Sequence, residues 1–467
     1  MLSYDKYDLC LLVEGDYPYG RGGISTWIHN YLLHFGSQKR IAVVSITADL
    51  KKKAEVKWRV PENVDVYLCP LVHSKRKRSN QHMPAVQWQR LIKHDQSYLE
   101  ALLALDQVEP ATFQDFWKWL RRQYPYWSNN ITFLTFYWIT LLLSTILHKI
   151  LSFDIPPASI YHATGCGYAG YMGVRAKYRE PQAKLFVTEH GIYFRERFLE
   201  YLQINIDHEF ENIAEQRFVK AFWLQHFNAI TQISYKNTDE LFSISAYNAR
   251  IQKTLFPQKD SRIIYNNYTD KLFDCTHSAL HSGEIRIAIA GRVTRIKNVR
   301  GFIRIIAYLA KRTDKNVRGL VLGDWDNNER YYEQCKILAR QYQVDDHIEF
   351  KGFCDLKHEF KEVDALLITS YSEGLPYVIL DAFANGVPVI AYDVGACREM
   401  LGFTDNAQCA ETIFPPGSIS DVAEYLLSLR DNPQKRRQLV SQGLEQLDNF
   451  FLQSAYQEYG RYIEAYN

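Results

Sequence analysis

The sequence predicts two doubly wound α/β domains, each built on a parallel sheet. The chain has 467 residues, which is too long for one ordinary hydrophobic core. Short apolar runs alternate with helical patterns, and this alternation is typical of parallel strands joined by crossover helices. With 47% hydrophobic and 23% charged residues, the composition is that of a globular protein able to bury two cores.

The alternation is most regular in the second half of the chain. A helix is predicted over Asn298–Arg312, because its apolar side chains fall on one stripe. We therefore expect a second Rossmann-like domain over residues 281–440, followed at 441–467 by a C-terminal helix that packs back toward the first domain. The predicted strands of this domain are Ile285–Ala290, Leu320–Leu322, His347–Phe350, Ala365–Thr369 and Val387–Ala391.

The first domain, residues 1–280, follows the same pattern less cleanly. A stretch over residues 73–156 breaks the alternation and is interpreted as an insertion, and a hinge is expected near Asn266–Gly283. The predicted strands are Leu9–Val13, Ile41–Ile46, Val64–Leu68, Ile160–Ala163, Leu185–Thr188, Ala229–Ile233 and Arg262–Tyr265.

The insertion contains an apolar stretch, Ile131–Leu147, of 17 residues without a charge. This length is at the lower limit for crossing a bilayer, and a buried helix is the favoured interpretation. The alternative is a helix that faces a membrane or a partner, because aromatic residues and Arg121-Arg122 precede it. The basic run Lys75–Arg78 is interpreted as a solvated loop, with an anionic lipid or polymer contact as the alternative.

Charge and cysteine content exclude several function classes. Lys and Arg number 55 against 53 Asp and Glu, and the net charge of +2 gives no reason to expect nucleic acid as a partner. The eight cysteines lack metal-ligand spacing and favour a reduced, intracellular protein. No signal-peptide pattern opens the sequence. We expect a cytoplasmic protein, with a peripheral position at the inner face of the membrane as the alternative.

Ligands of open parallel sheets bind beyond the carboxyl ends of the strands, so the loops there are the candidate sites. In the second domain, Arg292 and Lys297 follow the first strand and can converge on a dianionic group such as a pyrophosphate. The alternative is that both point into solvent. After Ala365–Thr369, a helix is predicted to begin just after Glu373, which places Asp381 about two turns, or ~12 Å, further along. The alternative is a helix cap and a surface acid.

Two loops of the first domain add candidates. The paired glycines Gly22 and Gly23 precede a helix beginning near Ile24, where a backbone can approach a phosphate closely. The alternative is a tight turn that needs glycine. His190 follows the strand Leu185–Thr188 and can donate to a phosphate or a sugar hydroxyl, although a lone histidine is more often structural.

Taken in order, the loops of the second half resemble glycosyltransferase family four, the retaining enzymes of GT-B fold. The first half resembles a narrower group, the PelF-type glycosyltransferases of exopolysaccharide synthesis. The motifs of the second half are Gly291–Lys297, Leu322–Asp324, Phe350–Gly352, Ser372–Pro376, Ala382–Pro388 and Asp393–Glu399, and those of the first half are Glu14–Trp27, Tyr161–Gly170 and Thr188–Arg197.

This resemblance implies two Rossmann-like domains that face a central cleft. It also implies transfer of a sugar, by analogy glucose, from a UDP-sugar to a glycan or exopolysaccharide acceptor, with no metal or other cofactor. The leaving phosphate itself takes the acceptor proton in such a reaction, so no protein nucleophile is assigned. A membrane-bound polysaccharide assembly complex is a further implied partner.

The resemblance also assigns roles to single residues. Arg292 and Lys297 match residues that hold the pyrophosphate, Glu373 matches the acid on the donor sugar, and His190 matches a cleft histidine. These four form the implied catalytic set. The implied donor-binding residues are Gly22 and Gly23 in a loop that closes on the donor, Asp381 on the ribose, and Gly374, Leu375 and Pro376.

The sequence departs from the family pattern at two places. Asp381 stands where the family has a second Glu, which shortens the reach to the ribose by one methylene. Asn266-Asn267 stands where Asn-Gly is usual, and Asn tolerates the left-handed backbone of such a turn. Two other functions stay open at this point: a sugar-nucleotide epimerase of GT-B fold, and a non-catalytic assembly subunit that binds nucleotide sugars.

Overall fold

A computed structural model describes most of the chain and divides it into two compact units. The N-terminal unit comprises Met1–Ile244, Ala249–Ile264 and Tyr456–Asn467, and the C-terminal unit comprises Ser245–Asn248 and Tyr265–Ala455. The described residues are 6–15, 17–20, 22–49, 56–72, 83–84, 88–105, 110–111, 113–203, 212–266, 268, 284–313, 316–326, 328–403, 411–452 and 455–466. The basic run at 75–78 and most of the predicted hinge lie outside them.

The strands are named in chain order: β1 (Tyr7–Glu14), β2 (Ile41–Asp49), β3 (Val64–Val72), β4 (Met83–Pro84), β5 (Pro110–Ala111), β6 (Ala158–Ala163), β7 (Lys184–Glu189), β8 (Glu240–Ser243), β9 (Arg262–Ile263), β10 (Glu284–Ala290), β11 (Asn316–Leu322), β12 (Ile348–Gly352), β13 (Ala365–Ile368), β14 (Val389–Tyr392) and β15 (Ile413–Phe414).

The α-helices are α1 (Gly23–Phe35), α2 (Trp88–Ile92), α3 (Gln96–Leu103), α4 (Phe113–Gln123), α5 (Phe133–Ser152), α6 (Tyr168–Arg179), α7 (Tyr193–Gln203), α8 (Ile213–Asn237), α9 (Ala246–Leu255), α10 (Val299–Arg312), α11 (Glu329–Gln341), α12 (Leu356–Glu359), α13 (Tyr377–Ala384), α14 (Cys397–Met400), α15 (Ile419–Asp431), α16 (Pro433–Leu452) and α17 (Ala455–Ala465). Short 3-10 helices cover Tyr124–Tyr126, Arg295–Lys297, Asp345–His347 and Phe360–Glu362.

Both units are built on a parallel sheet with the topology of a doubly wound fold. The N-terminal sheet has the order β3-β2-β1-β6-β7-β8-β9, and the C-terminal sheet has the order β12-β11-β10-β13-β14-β15. The strand order reverses between β1 and β6 in the first sheet and between β10 and β13 in the second. At such a reversal, a ligand-binding crevice lies outside the carboxyl ends of the strands. The predicted fold class is confirmed.

Helix α10 shows how the sequence pattern positions an element. Phe302, Ile305, Ile306 and Leu309 are fully buried, as the predicted stripe requires. Asn298 caps the helix: its side chain accepts a hydrogen bond from the Gly301 N–H at 3.1 Å. The helix therefore begins one residue after the cap, directly behind the loop that carries Lys297.

One predicted strand is wrong. Ala229–Ile233 lies inside the 25-residue helix α8, and the strand that pairs with β7 is β8, further along the chain. Ile230 and Ile233 are buried on that helix. A short apolar run has the same sequence pattern in a buried helix and in a buried strand, because all of its side chains are apolar in both cases.

The segment between β3 and β6 forms helices α2 to α5 and the antiparallel pair β4–β5. Helix α5 packs against β3. Within the described part of the chain, it is the one helix long and apolar enough to cross a membrane, and about half of its apolar segment is buried in the protein. At the far end of the chain, helix α17 contributes Tyr459 to the N-terminal unit, where its hydroxyl lies 3.1 Å from that of Thr188.

Candidate functional site

Two loops meet at the strand-order reversal of the C-terminal sheet. The first follows β10 and the second follows its neighbour β13. The Asn298 side-chain amide donates to the Thr369 carbonyl at 3.0 Å, and the Tyr371 N–H donates to the Ile296 carbonyl at 2.8 Å. These bonds fix the two loops against each other independently of the side chains that they present.

The side chains of Lys297 and Glu373 form an ion pair across these loops. The Lys297 Nζ lies 2.6 Å from the Glu373 Oε1, and the Ser370 hydroxyl donates to the same oxygen at 2.5 Å. The Glu373 side chain is only 8% exposed, whereas the Lys297 side chain is 27% exposed. An ammonium group has three N–H donors, so Lys297 can hold Glu373 and still donate toward an anion.

The loop after β14 packs against the backbone of Glu373. Gly395 has a φ of +57°, and a Cβ atom at this position would stand 1.9 Å from the Glu373 carbonyl oxygen. The next residue, Ala396, donates its N–H to the Gly374 carbonyl at 3.2 Å. Only glycine allows this approach, because any side chain would collide with the backbone of Glu373.

The helix after this loop begins later than the sequence predicts. Helix α13 starts at Tyr377, and Pro376 is its N-cap with an extended backbone (φ −72°, ψ 100°). Glu373 lies outside the helix, and residues 374–376 between them are not helical, so a continuous helical rise does not describe the whole separation between Glu373 and Asp381. Within this segment, the Gly374 carbonyl accepts from the Ala396 N–H, a contact with another loop. Leu375 is buried beside it.

Asp381 lies within α13 and contacts a residue that the sequence did not indicate. Its Oδ1 accepts a hydrogen bond from the Tyr268 hydroxyl at 3.0 Å. Tyr268 lies in the polar stretch after β9, where no periodic pattern marks a functional side chain. The sequence also assigns no role to Ser370, which lies just before the motif Ser372–Pro376, or to Gly395, which lies within the motif Asp393–Glu399.

Arg292 is exposed at the start of the loop after β10. Within the described residues, contacts join Lys297 to Glu373 but join Arg292 to neither side chain. The structure thus brings two of the predicted catalytic residues together, and the guanidinium of Arg292 lies at the same strand end with its side chain toward solvent.

In the N-terminal unit, Gly22 begins the helix whose Trp27 packs against His190. Gly22 is the N-cap of α1, with a φ of +148°, and Gly23 is the first residue of the helix. The ring of Trp27, one turn further along α1, lies 4.5 Å from the ring of His190, which follows β7. Burial lowers the pKa of His190 to about 3, so the imidazole is neutral near pH 7. Its Nε2 has no hydrogen-bond partner among the described residues.

A partly exposed carboxylate lies at the strand-order reversal of the N-terminal sheet. Glu14, at the end of β1, accepts hydrogen bonds from the Tyr168 N–H at 3.0 Å and from the Tyr193 hydroxyl at 3.2 Å. Burial raises the pKa of Glu14, while the charge of Arg197 opposes that rise. No group of three or more His, Cys, Asp or Glu side chains that could hold a metal ion occurs in the described ranges.

Two parallel-sheet units, each with a polar centre at its strand-order reversal, define a GT-B fold. Solved structures share this architecture over nearly the whole chain. Sucrose-phosphate synthase from Thermosynechococcus elongatus has a TM-score of 0.63 at 15% identity, covering 98% of both chains. HepE from Anabaena, solved in complex with UDP, has a TM-score of 0.57 at 13% identity, covering 98% of this chain and 100% of that one.

Family models match both parts of the chain. Residues 7–115 and 103–256 match a domain of unknown function, DUF3492. The matched segments span more than half of the sequence, and the chain belongs to that family. Residues 276–446 match the model described as glycosyl transferases group 1.

A curated relative is N-acetyl-alpha-D-glucosaminyl L-malate synthase from Bacillus anthracis. It is 24% identical over 227 residues, covering 48% of this chain and 56% of that protein. The chain spans between 29% and 56% of the length of the first three curated relatives that it matches.

Proposed function

We propose that the protein is a retaining glycosyltransferase that moves a sugar from a UDP-sugar to a glycan acceptor. The observation that carries this proposal is the Lys297–Glu373 pair at the strand-order reversal of the C-terminal sheet. In this pair, the Lys297 ammonium has N–H donors that Glu373 does not use, and the Glu373 carboxylate is nearly buried. In a sugar diphosphate, the diphosphate can accept from the ammonium and the sugar hydroxyls can donate to the carboxylate.

In this proposal, each group of the C-terminal site contacts one part of the donor. Lys297 and Arg292 bind the pyrophosphate, and Glu373, with Gly374, Leu375 and Pro376 behind it, binds the sugar hydroxyls. Asp381 binds the ribose together with Tyr268, whose hydroxyl already donates to it. A pyrophosphate competes with Glu373 for Lys297, which frees a carboxylate oxygen to accept from a sugar hydroxyl.

The proposed reaction breaks the bond between the anomeric carbon and the diphosphate oxygen. The acceptor oxygen bonds to the anomeric carbon on the same face, and its proton passes to the leaving phosphate. Lys297 and Arg292 stabilise the negative charge that develops on the diphosphate. These two cations carry the charge compensation in the proposal, and turnover in the presence of a chelator tests whether a metal is also required.

His190, Gly22 and Gly23 complete the proposed machinery. The lowered pKa of His190 supports a role as a neutral hydrogen-bond donor, because a neutral ring can donate without adding charge. The left-handed φ of Gly22 supports a loop whose backbone N–H groups face a phosphate. We propose that these groups act on the donor and on the approaching acceptor.

Glucose is the proposed sugar, and an exopolysaccharide is the proposed acceptor. The choice of UDP-glucose rests on the PelF-type sequence motifs, and HepE, which shares the fold, is solved in complex with UDP-glucose. We propose a membrane-bound polysaccharide assembly complex as a partner of the protein, and this proposal rests on the same motifs.

A donor screen tests the function. UDP-sugars are incubated with candidate acceptor glycans, UDP release is measured, and proton NMR reports the anomeric configuration of the product. We expect turnover with one UDP-hexose, an α-linked product from an α-configured donor, and no loss of rate in EDTA. Arg292→Ala and Glu373→Ala are the site variants, and Arg340→Ala, exposed on α11, is the matched control.

If both site variants keep the turnover of the wild type, the proposed site is wrong. Release of UDP without any glycosylated product would instead favour an epimerase or hydrolase. Tight UDP binding without turnover on any donor and acceptor pair would favour a non-catalytic binding subunit.

A further inference from the structure

An exposed aromatic face lies on α4 and α5 of the N-terminal unit, far along the sequence from the residues discussed above. Leu134 and Trp138 are 64% and 54% exposed, unusual values for such large apolar side chains. The rings of Phe113 and Trp117 stack at 6.2 Å, and Trp117 contacts Tyr137 of α5 at 6.0 Å. This surface, named here the aromatic face, comprises Phe113, Trp117, Leu134, Tyr137, Trp138 and Leu142.

The aromatic face is one stripe of a helix whose other side is already buried. Leu134, Trp138 and Leu142 recur every four residues and so share a side of α5 over about 12 Å. The opposite side of α5 belongs to the hydrophobic core of the unit, including Leu143 and Ile150. Crossing a bilayer would expose that core surface to lipid and strip it from β3, so the helix is placed to lie on a membrane and not to span it.

Basic side chains flank the aromatic face. Lys118, Arg121 and Arg122 are exposed on α4, and Asp115 is the one acid in that helix. Trp and Tyr rings favour the headgroup layer of a bilayer, where an apolar ring and a polar edge are both satisfied. Lys and Arg beside them are attracted to anionic headgroups. A combination of exposed indole rings and cations fits an anionic membrane better than it fits an apolar protein groove.

We infer that the aromatic face seats the N-terminal unit on a membrane surface that contains anionic lipids. Trp117, Trp138, Leu134 and Leu142 enter the headgroup layer, and the cations of α4 contact the lipid phosphates. The inference does not depend on the proposed glycosyl transfer, because no residue of the face belongs to the candidate site.

Vesicle co-sedimentation of the full chain tests this inference. The vesicles are phosphatidylcholine alone or phosphatidylcholine with phosphatidylglycerol. We expect the wild type to bind the anionic vesicles, with weaker binding at high salt. The double variant Arg121→Gln/Arg122→Gln should bind them about 30-fold more weakly, since each basic residue near an anionic surface contributes about fivefold. Leu134→Gln/Trp138→Gln should lose at least tenfold.

The matched control is Ile337→Gln, which removes another exposed apolar side chain, from α11 of the other unit, and should bind like the wild type. Circular dichroism and urea unfolding verify that each variant is folded. The inference is overturned if the wild type ignores anionic vesicles, or if Leu134→Gln/Trp138→Gln binds them as the wild type does. It is also overturned if sedimentation velocity shows a dimer that this variant dissociates.

Discussion

Each unit places a carboxylate at its strand-order reversal, and the two carboxylates have different partners. In the N-terminal unit, Glu14 ends β1, is partly exposed and accepts from a backbone N–H and a tyrosine hydroxyl. In the C-terminal unit, Glu373 lies in the loop after β13 and is paired with Lys297, whose side chain is 27% exposed. One carboxylate is held by neutral donors of its own unit, whereas the other is held by a cation that a ligand can reach.

The difference teaches where ligand chemistry can occur. A carboxylate whose partners are backbone and tyrosine groups of its own unit stabilises the loops around it. A carboxylate held by a partly exposed ammonium can exchange that partner for a substrate. The N-terminal unit also contains buried histidines, among them His94, His162 and His226.

The largest expected effect comes from removing the exchangeable cation. Lys297→Met should lower glycosyl transfer by about 100- to 1,000-fold, the usual cost of losing one charged donor to a developing anion. Steady-state UDP release measures the loss. Lys311→Met, exposed at the end of α10, should keep the wild-type rate. Equal rates for Lys297→Met and the wild type would contradict the view that Glu373, unlike Glu14, is held by a cation that acts on the substrate.

The next effect tests the close approach that holds Glu373. Gly395→Ala should lower the free energy of unfolding by roughly 3 kcal/mol, since it adds a collision with the Glu373 carbonyl to the strain of a left-handed backbone. Gly417→Ala also has a positive φ, of 93°, but nothing lies within 4 Å of its added Cβ. It should cost about 1 kcal/mol. Denaturant unfolding measures the free energy of unfolding of both variants. Equal losses would contradict the prediction, because they would show that the backbone around Gly395 shifts and removes the collision.

Acid pH should destabilise the protein through the buried side chain of His94 in the N-terminal unit. Burial lowers the pKa of His94 to about 4 from the ordinary 6.5, and both ring nitrogens are buried without a partner among the described residues. The stability that depends on a neutral His94 is present above pH 6.5 and is lost as pH falls toward 4. By pH 5, the loss reaches about 2 kcal/mol.

His94→Gln removes this titration. Relative to the wild type, its unfolding free energy should therefore rise by about 2 kcal/mol between pH 7.5 and pH 5. Urea unfolding at the two pH values measures the difference. His358→Gln, whose side chain is 80% exposed, is the control and should follow the wild type. Parallel curves for all three proteins would mean that His94 is protonated in the folded state as readily as in the unfolded chain.

The smallest expected effect concerns the contact to Asp381. Tyr268→Phe removes the hydroxyl that donates to Asp381 and should raise KM for the donor about fivefold with little change in kcat, since the ribose does not react. Tyr126→Phe, at a highly exposed tyrosine of the N-terminal unit, is the control. A fall in kcat at unchanged KM would contradict a ribose-binding role.

The sequence predicts the parallel strands and helix α10 because their apolar patterns are local. It misplaces the strand at Ala229–Ile233, where burial on every side hides the helical period. The start of α13 is also missed, because Gly395 and Ala396 act on that segment from another loop. Lys297 and Glu373 are 76 residues apart in the sequence, and their ion pair could be expected only from the adjacency of β10 and β13.

Tyr268 and Ser370 illustrate the limit of pattern for a site. Neither residue lies in a periodic element. Tyr268 is identified only by its hydrogen bond to Asp381, which is distant in sequence. Ser370 is identified only by its hydrogen bond to Glu373, three residues further along the chain. The hydrogen bonds to Glu14 are equally invisible in sequence, since Tyr168 and Tyr193 reach it from two different strand ends.

Calorimetric titration with UDP tests the central claim most directly, because it needs no acceptor. The account predicts that the wild type binds UDP, that Lys297→Met binds it at least tenfold more weakly, and that Lys311→Met binds it as the wild type does. A wild type that releases no heat with UDP, or a Lys297→Met variant with unchanged affinity, would contradict a nucleotide-sugar site at the Lys297–Glu373 pair.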